Sequence, residues 1–573
     1  MRSLLKSLKD NLFILSIGII YCFSFSKMSV GDCFFRSLEN NYPLFYLNNY
    51  GTYPAWLGFE PAHLLGIPTL RAIQLFMANF GFLPNALLLV QLVNLLLALC
   101  TLKLIYSLLL RMNTGKAIAT ATTIFFAFSF GFYANMNGEL HHFSIFLFAA
   151  VIWLLWDIET RLETKSTSVF IASLCLTLLP LYHLETIVFS GLIILYILLR
   201  KNLRAKFAAR PYQVTLGLFV IPLILIISSI VFHYFEVGRP NLNSYTTNNL
   251  LPCWRINATH NVFVKACISI KAFSVYIMSR AHLESFSIIS RTAKILQHYK
   301  DVVFYSNGLS VNTGIAITVA YLILFISVNI TGVILAIKNR NRITGFIWLL
   351  IAMLIVYLFS YGLLISSVFL LSEFFIITVM VQCIILGYFF GFGRKWHKLI
   401  FCFLVIMTLF SNIALFIYPQ KVSAESIARI LDEIKPKHSY DPETAAFRIS
   451  LFDFPYGAIQ GQRIKVYFDE HVYDSKIKTL EQISLIDSEF KQGKKVFLIS
   501  PGFLFGEDKE INIKSVLPMG INKSPFLEEN LEYLLQTLRN NYQIEITKKY
   551  VYNFATLGQL GKLAVVELKN RRR

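Results

Sequence analysis

The sequence predicts an all-α polytopic membrane domain of about eleven transmembrane helices, followed by a small α/β domain outside the membrane. Three observations carry that expectation. Hydrophobic residues make up 55% of the 573-residue chain and charged residues only 15%, where a soluble protein carries about 25% charged. Mean hydropathy is +0.58. Many apolar runs approach the length of about 20 residues that crosses a bilayer core, and they stop near Tyr418.

The spans are expected at 11–27, 84–110, 117–134, 140–156, 167–181, 185–199, 212–235, 311–337, 343–366, 373–392 and 397–418. No small-residue cleavage site follows the first, so it is expected to be an anchor. The fifth and sixth are short, interrupted by Pro180 and by Tyr182-His183-Leu184-Glu185. Residues 1–419 form the membrane domain, with long loops at 28–83 and 236–310. In the second loop Val264, Ile268, Val275 and Met278 recur near helical spacing among Arg280, Arg291 and Lys294, which suggests a helix on the membrane surface.

Residues 420–573 differ in character. Strand-like runs at Arg448–Phe452, Lys495–Ser500 and Leu563–Leu568 alternate with a helical stretch over Ser524–Asn541. Pro525, Glu528 and Glu529 mark that helix start. There is no Gly-rich phosphate loop and no nucleophile elbow.

The formal charge is +20, and nearly all of the surplus lies before Gln420. Orientation signals and anionic membrane lipid account for it, and no nucleic-acid partner is expected. Lys and Arg cluster at the amino terminus and in alternate short loops, such as Arg111/Lys116, Arg161/Lys165, Arg200–Arg210, Lys338–Arg342 and Arg394–Lys398. The loops near 135–139, 182–184 and 367–372 carry none. That alternation predicts a cytoplasmic amino terminus and an extracytoplasmic carboxyl-terminal domain, and usage rich in Lys, Asn, Ile and Phe suggests a bacterium and hence its inner membrane. The eight cysteines show no metal-ligand spacing. Cys253 and Cys267 share one outer loop and could be a disulfide or two thiols.

Ionisable residues gather at the outer ends of the spans. Asp32 follows the first. Glu139, His141 and His142 lie between the third and fourth. His183 and Glu185 lie between the fifth and sixth. Charges at membrane depth are costly, so these positions are functional candidates. Each also has a structural reading, as a helix-start acid or an interfacial polar group. Glu139 and His142 are three apart and would share a helix face, which ranks His141 below His142. Two carboxylates from different loops could provide a general base or hold a divalent metal, and adding His142 would suit zinc.

At these residues the sequence resembles the GT-C superfamily of polytopic glycosyltransferases, closest to the bacterial protein O-mannosyltransferase-like branch. The resemblance rests on Gly31-Asp32 after the first span, a Gly66-Ile67-Pro68 loop and Gln91-Leu92-Val93-Asn94-Leu95 opening the second span. It extends to the aromatic run from Phe132 to Glu139 and to Leu181-Tyr182-His183-Leu184. Cys33-Phe34-Phe35-Arg36, His142 and Glu185 depart from the pattern.

The resemblance implies sugar transfer from a polyprenyl-phosphate donor to a hydroxyl of a glycan, lipid or protein acceptor on the outer face. Asp32 and Glu139 would be the catalytic acids. His183, with Arg239, Arg255, Arg280 and Arg291, would meet the donor phosphate, for which the planar arginine fork is suited. On the residues alone, His142 is a further candidate for the phosphate, and Asp32, Glu139 and His142 could hold a divalent metal. Two other classes stay open on the residues alone. One is a transporter or flippase, although no internal duplication of spans is visible. The other is a scaffold whose outer domain binds a partner.

Overall fold

The structure is a computed structural model. It describes residues 2–25, 65–81, 86–129, 132, 141–183, 186–237, 311–364, 376–417, 445–449, 466–468, 476–501, 527–554 and 559–570. Asp32, Glu139, Glu185, Arg239, Arg255, Arg280 and Arg291 lie outside these residues, as do the Cys253–Cys267 pair and the expected surface helix in 236–310. The chain divides into two compact units, one holding most of the helices and the other the strands.

The helices run α1 (Arg2–Phe25), α2 (Gly66–Ala78), α3 (Ala86–Arg111), α4 (Lys116–Ala127), α5 (His141–Thr160), α6 (Ser166–Tyr182), α7 (Ile187–Leu199) and α8 (Lys201–Ala208). A short α9 (Pro211–Thr215) passes through a π turn (Leu216–Val220) into α10 (Ile221–Val237). Then come α11 (Val311–Lys338), α12 (Gly345–Leu364), α13 (Ile376–Gly391) and α14 (Lys395–Ile417). Each apolar stretch expected to span is helical over most of its described residues. By length and composition, Leu89–Arg111, His141–Thr160 and Pro211–Ser229 can cross a bilayer, and the other apolar helices noted are shorter, at 10–17 residues. This is a membrane protein. Gly66-Ile67-Pro68, expected as a loop, instead opens α2. Pro68 falls in the first turn, where a missing N–H costs no helical bond.

Close backbone approach organises the helical core. α13 is buried along nearly its whole length and packs on α4 and α12. A Cβ on Gly387 would lie 2.6 Å from Thr122 Oγ1, and one on Gly391 would lie 2.8 Å from Thr114 Cα. Glycine is what lets α13 sit this close. The π turn meets α6 in the same way, because a Cβ on Gly217 would be 2.8 Å from the Phe170 carbonyl. Thr177 donates to the Leu218 carbonyl at 3.2 Å, so a side chain serves the distorted turn. Between helices, Gln382 donates to Asn329 at 2.7 Å, and the buried Tyr321 and Thr408 hydroxyls meet at 2.8 Å.

One end of this unit is tied by charge. Asp157, nearly buried on α5, accepts from Arg111 of α3 and from Arg161 at 2.8 Å. The Arg111 guanidinium also lies 4.2 Å from the Trp153 ring centroid. Glu159 accepts from the Tyr196 hydroxyl at 2.9 Å and from Arg200 at 3.0 Å. Lys206 donates to the carbonyls of Ile158 (2.6 Å) and Arg161 (2.5 Å), and Arg210 donates to that of Thr164. Part of the basic surplus thus fastens helix ends together, beyond its expected role in orientation.

The second unit holds a mixed five-stranded sheet in the order β2-β1-β3-β5-β4. Its strands are β1 (Ala445–Ile449), β2 (Val466–Phe468), β3 (Lys495–Pro501), β4 (Tyr542–Phe554) and β5 (Gln559–Asn570). β1 is parallel to β2 and β3, and β5 runs antiparallel to β3 and β4. Two helices, α15 (Lys476–Lys491) and α16 (Leu527–Asn541), pack against β3 and β4 respectively and against each other. Ile486, Leu534, Leu538, Val496, Phe497, Leu498, Val566 and Leu568 are buried. Tyr542 anchors this core by donating to Asp487 at 2.8 Å. The strand-like runs read from the sequence overlap β1, β3 and β5. α15 and β4 were not foreseen, since their apolar residues are sparse and broken by charges.

Candidate functional site

The end of the helical unit opposite the charge network contains His141, His142 and His183. α5 starts there at His141, and α6 ends there at Tyr182. α6 carries Pro180, which cannot donate to the carbonyl four residues back, at Leu176. The Ser190 hydroxyl of α7 takes that carbonyl at 3.0 Å. α6 closes with the His183 N–H on the Leu179 carbonyl at 3.1 Å, and His183 is extended, at φ −156 and ψ 104. Its carbonyl then accepts from both the backbone N–H (3.0 Å) and the hydroxyl (2.7 Å) of Thr186. The helix break therefore holds His183 at a fixed corner between α6 and α7.

His141 meets it there. The two imidazole centroids are 4.7 Å apart with planes at 49°. Both side chains are buried, at 5% exposure each. They line a pocket with Ser144, Ile145, Thr186, Phe189, Tyr357, Ile376 and Ile377. Phe189 and Tyr357 stack at 4.6 Å and form an aromatic wall. Ser144 donates back to the His141 carbonyl at 2.8 Å and so fixes the first turn of α5. Beside the pocket, Tyr182 stacks on Phe143 at 4.7 Å and shares a 2.8 Å hydrogen bond with Thr69 of α2. The Leu65 N–H donates to the Leu181 carbonyl at 3.1 Å, so α2 is pinned to the end of α6.

His142 does not line this pocket. Successive helical residues point about 100° apart, and His142 is fully buried edge-on against Phe132, 4.9 Å between centroids. The ranking of His142 over His141 relied on a face shared with Glu139. The structure instead brings His141 to His183. Sequence spacing ranked His141 below His142 and did not single out Ser144, Thr186 or Tyr357, which line the pocket. The i, i+3 pairing of His141 with Ser144 was a signal available for those two, whereas Tyr357 sits unmarked in an apolar run.

Two described contacts bear on the positions of the acids in the chain. The Tyr21 hydroxyl of α1 donates to the Ala127 carbonyl at the end of α4 at 2.5 Å, and Tyr21 packs on Phe128. α1 and α4 therefore end side by side. Among the described residues, no three His, Cys, Asp or Glu side chains form a metal-binding group. His142, the described member of the expected metal set, has the surroundings of a packed core side chain.

This helical arrangement is shared with solved structures of ArnT. The chain superposes over 97% of its length on 97% of ArnT from Cupriavidus metallidurans bound to undecaprenyl phosphate, with TM-score 0.52 and 10% identity. The apo state of that ArnT matches with TM-score 0.51 and 9% identity, over 99% of this chain and 98% of the other. No family model and no curated protein matches the sequence.

Proposed function

We propose that this protein is a membrane glycosyltransferase that moves a sugar from a polyprenyl-phosphate donor to an acceptor hydroxyl on the extracytoplasmic face. The observation that carries this reading is the GT-C fold shared along nearly the full chain with an ArnT structure that holds undecaprenyl phosphate. The buried histidine pocket lies at the end of the unit where α1 and α4 finish together, and those two helix ends precede Asp32 and Glu139 in the sequence.

In this reading the acceptor hydroxyl attacks the anomeric carbon and gives its proton to Asp32, with Glu139 as the second acid. The bond from the anomeric carbon to the phosphate oxygen breaks, and polyprenyl phosphate leaves with its tail in the bilayer. A phosphate leaving group needs charge stabilisation more than protonation. His183 and the loop arginines Arg239, Arg255, Arg280 and Arg291 provide donors for it. The amino terminus is cytoplasmic, and residues 420–573 form an extracytoplasmic domain that recognises the acceptor.

The test replaces each acid by its amide. Asp32→Asn and Glu139→Gln are each expected to lower transfer by about 100-fold or more, with membrane insertion and melting temperature unchanged. Full activity in both variants would overturn the assignment.

A further inference from the structure

We infer that the end of the helical unit opposite the histidine pocket carries a binding site for an anionic phospholipid, formed by the α11–α12 and α13–α14 connections. α5, α7 and α13 run from the pocket at His141, Thr186 and Ile376 to this end at Glu159, Arg200 and Gly391. The two sites are therefore separated by about 20 Å of helix.

The two connections are neighbours. The Arg342 guanidinium lies 4.7 Å from the Phe392 ring centroid, and the Tyr388 hydroxyl donates to the Arg342 carbonyl at 2.5 Å. Between them they expose Arg340, Arg342, Arg394 and Lys395. The two less exposed carboxylates at this end, Asp157 and Glu159, are already taken, Asp157 by Arg111 and Arg161 and Glu159 by Arg200. Among the described residues, none of the four exposed cations has a carboxylate partner.

Their placement makes this unusual. α12 and α14 both begin at this end, and neither has an acid in its first turn. The positive end of a helix favours an anion and disfavours a cation. Here the Arg340–Arg342 turn precedes one such end, and Arg394 and Lys395 open the other. An anion seated between the connections would relieve both repulsions. Arginine and helix N–H groups together suit a phosphate oxygen.

The apolar residues beside the cations select a lipid. Trp396 is 74% exposed, Ile337 67% and Trp348 59%. They stand next to the cations on α14, α11 and α12. Amphipathic tryptophan beside lysine and arginine is the pattern of a membrane interface. A headgroup phosphate would meet the cations while the acyl chains cover these side chains. Inorganic phosphate has nothing to offer that apolar surface.

The experiment uses the purified full chain and native mass spectrometry, with dioleoyl phosphatidylglycerol and dioleoyl phosphatidylcholine as probes. Preferential retention of phosphatidylglycerol is expected. Arg340→Gln with Lys395→Gln should reduce that preference by about tenfold, and Arg340→Lys with Lys395→Arg should keep it. The charge-matched control, Lys165→Gln with Arg204→Gln, should leave it unchanged. An equal loss in the control would mean diffuse charge attraction and overturn the site. So would displacement of the lipid by inorganic phosphate.

Discussion

His141 and His142 are adjacent in sequence and do different things. His141 faces His183 across 4.7 Å in a pocket. His142 fills core against Phe132. His141→Ala should lower transfer by about tenfold or more while melting stays close to wild type, if its imidazole serves the donor. His142→Ala should do the reverse, removing about 2–4 kcal/mol of stability with kinetics close to wild type. Melting curves in detergent, measured beside steady-state rates, separate the two. The sequence could rank these residues only by spacing from Glu139, and spacing marks a face without saying what that face meets. Pro180 and His183 were legible as a helix break. Ser190 as the group that completes the break was not, because its partner, the Leu176 carbonyl, lies fourteen residues away and on another helix.

At the scale of elements, long apolar runs were readable because a bilayer requires about 20 consecutive apolar residues and no partner to define them. Short elements that depend on partners were not. α2 looked like a loop because Gly66 and Pro68 signal turns when met alone. The Leu65–Leu181 and Thr69–Tyr182 hydrogen bonds give its start a place to dock. The charge network ties several elements of the helical unit at one end. Asp157 is 8% exposed and serves two arginines from α3 and the α5 end. Asp157→Asn would leave Arg111 and Arg161 without their counter-charge. It should cost about 1–3 kcal/mol, read as a lower melting temperature, with the rate of the surviving folded protein unchanged. An unaltered melting temperature would show that the network is solvated and contributes little.

At the scale of the molecule, the GT-C resemblance was legible from a few residues at span ends, well below what sequence comparison detects. The fold of ArnT is shared at only 10% identity. Such divergence is expected where burial in lipid fixes the helices, because most apolar positions exchange freely. What the sequence left open between transferase, flippase and scaffold is a matter of whether a bond breaks. Both transport and scaffolding leave the lipid-linked sugar intact. The most direct measurement is release of polyprenyl phosphate by the purified chain in proteoliposomes, followed by mass spectrometry. The membranes are loaded with a panel of polyprenyl-phosphate monosaccharides and an envelope extract as acceptor. Release from at least one donor, abolished by Asp32→Asn, is the expected result. Intact donor throughout the panel, or undiminished release by Asp32→Asn, would contradict it.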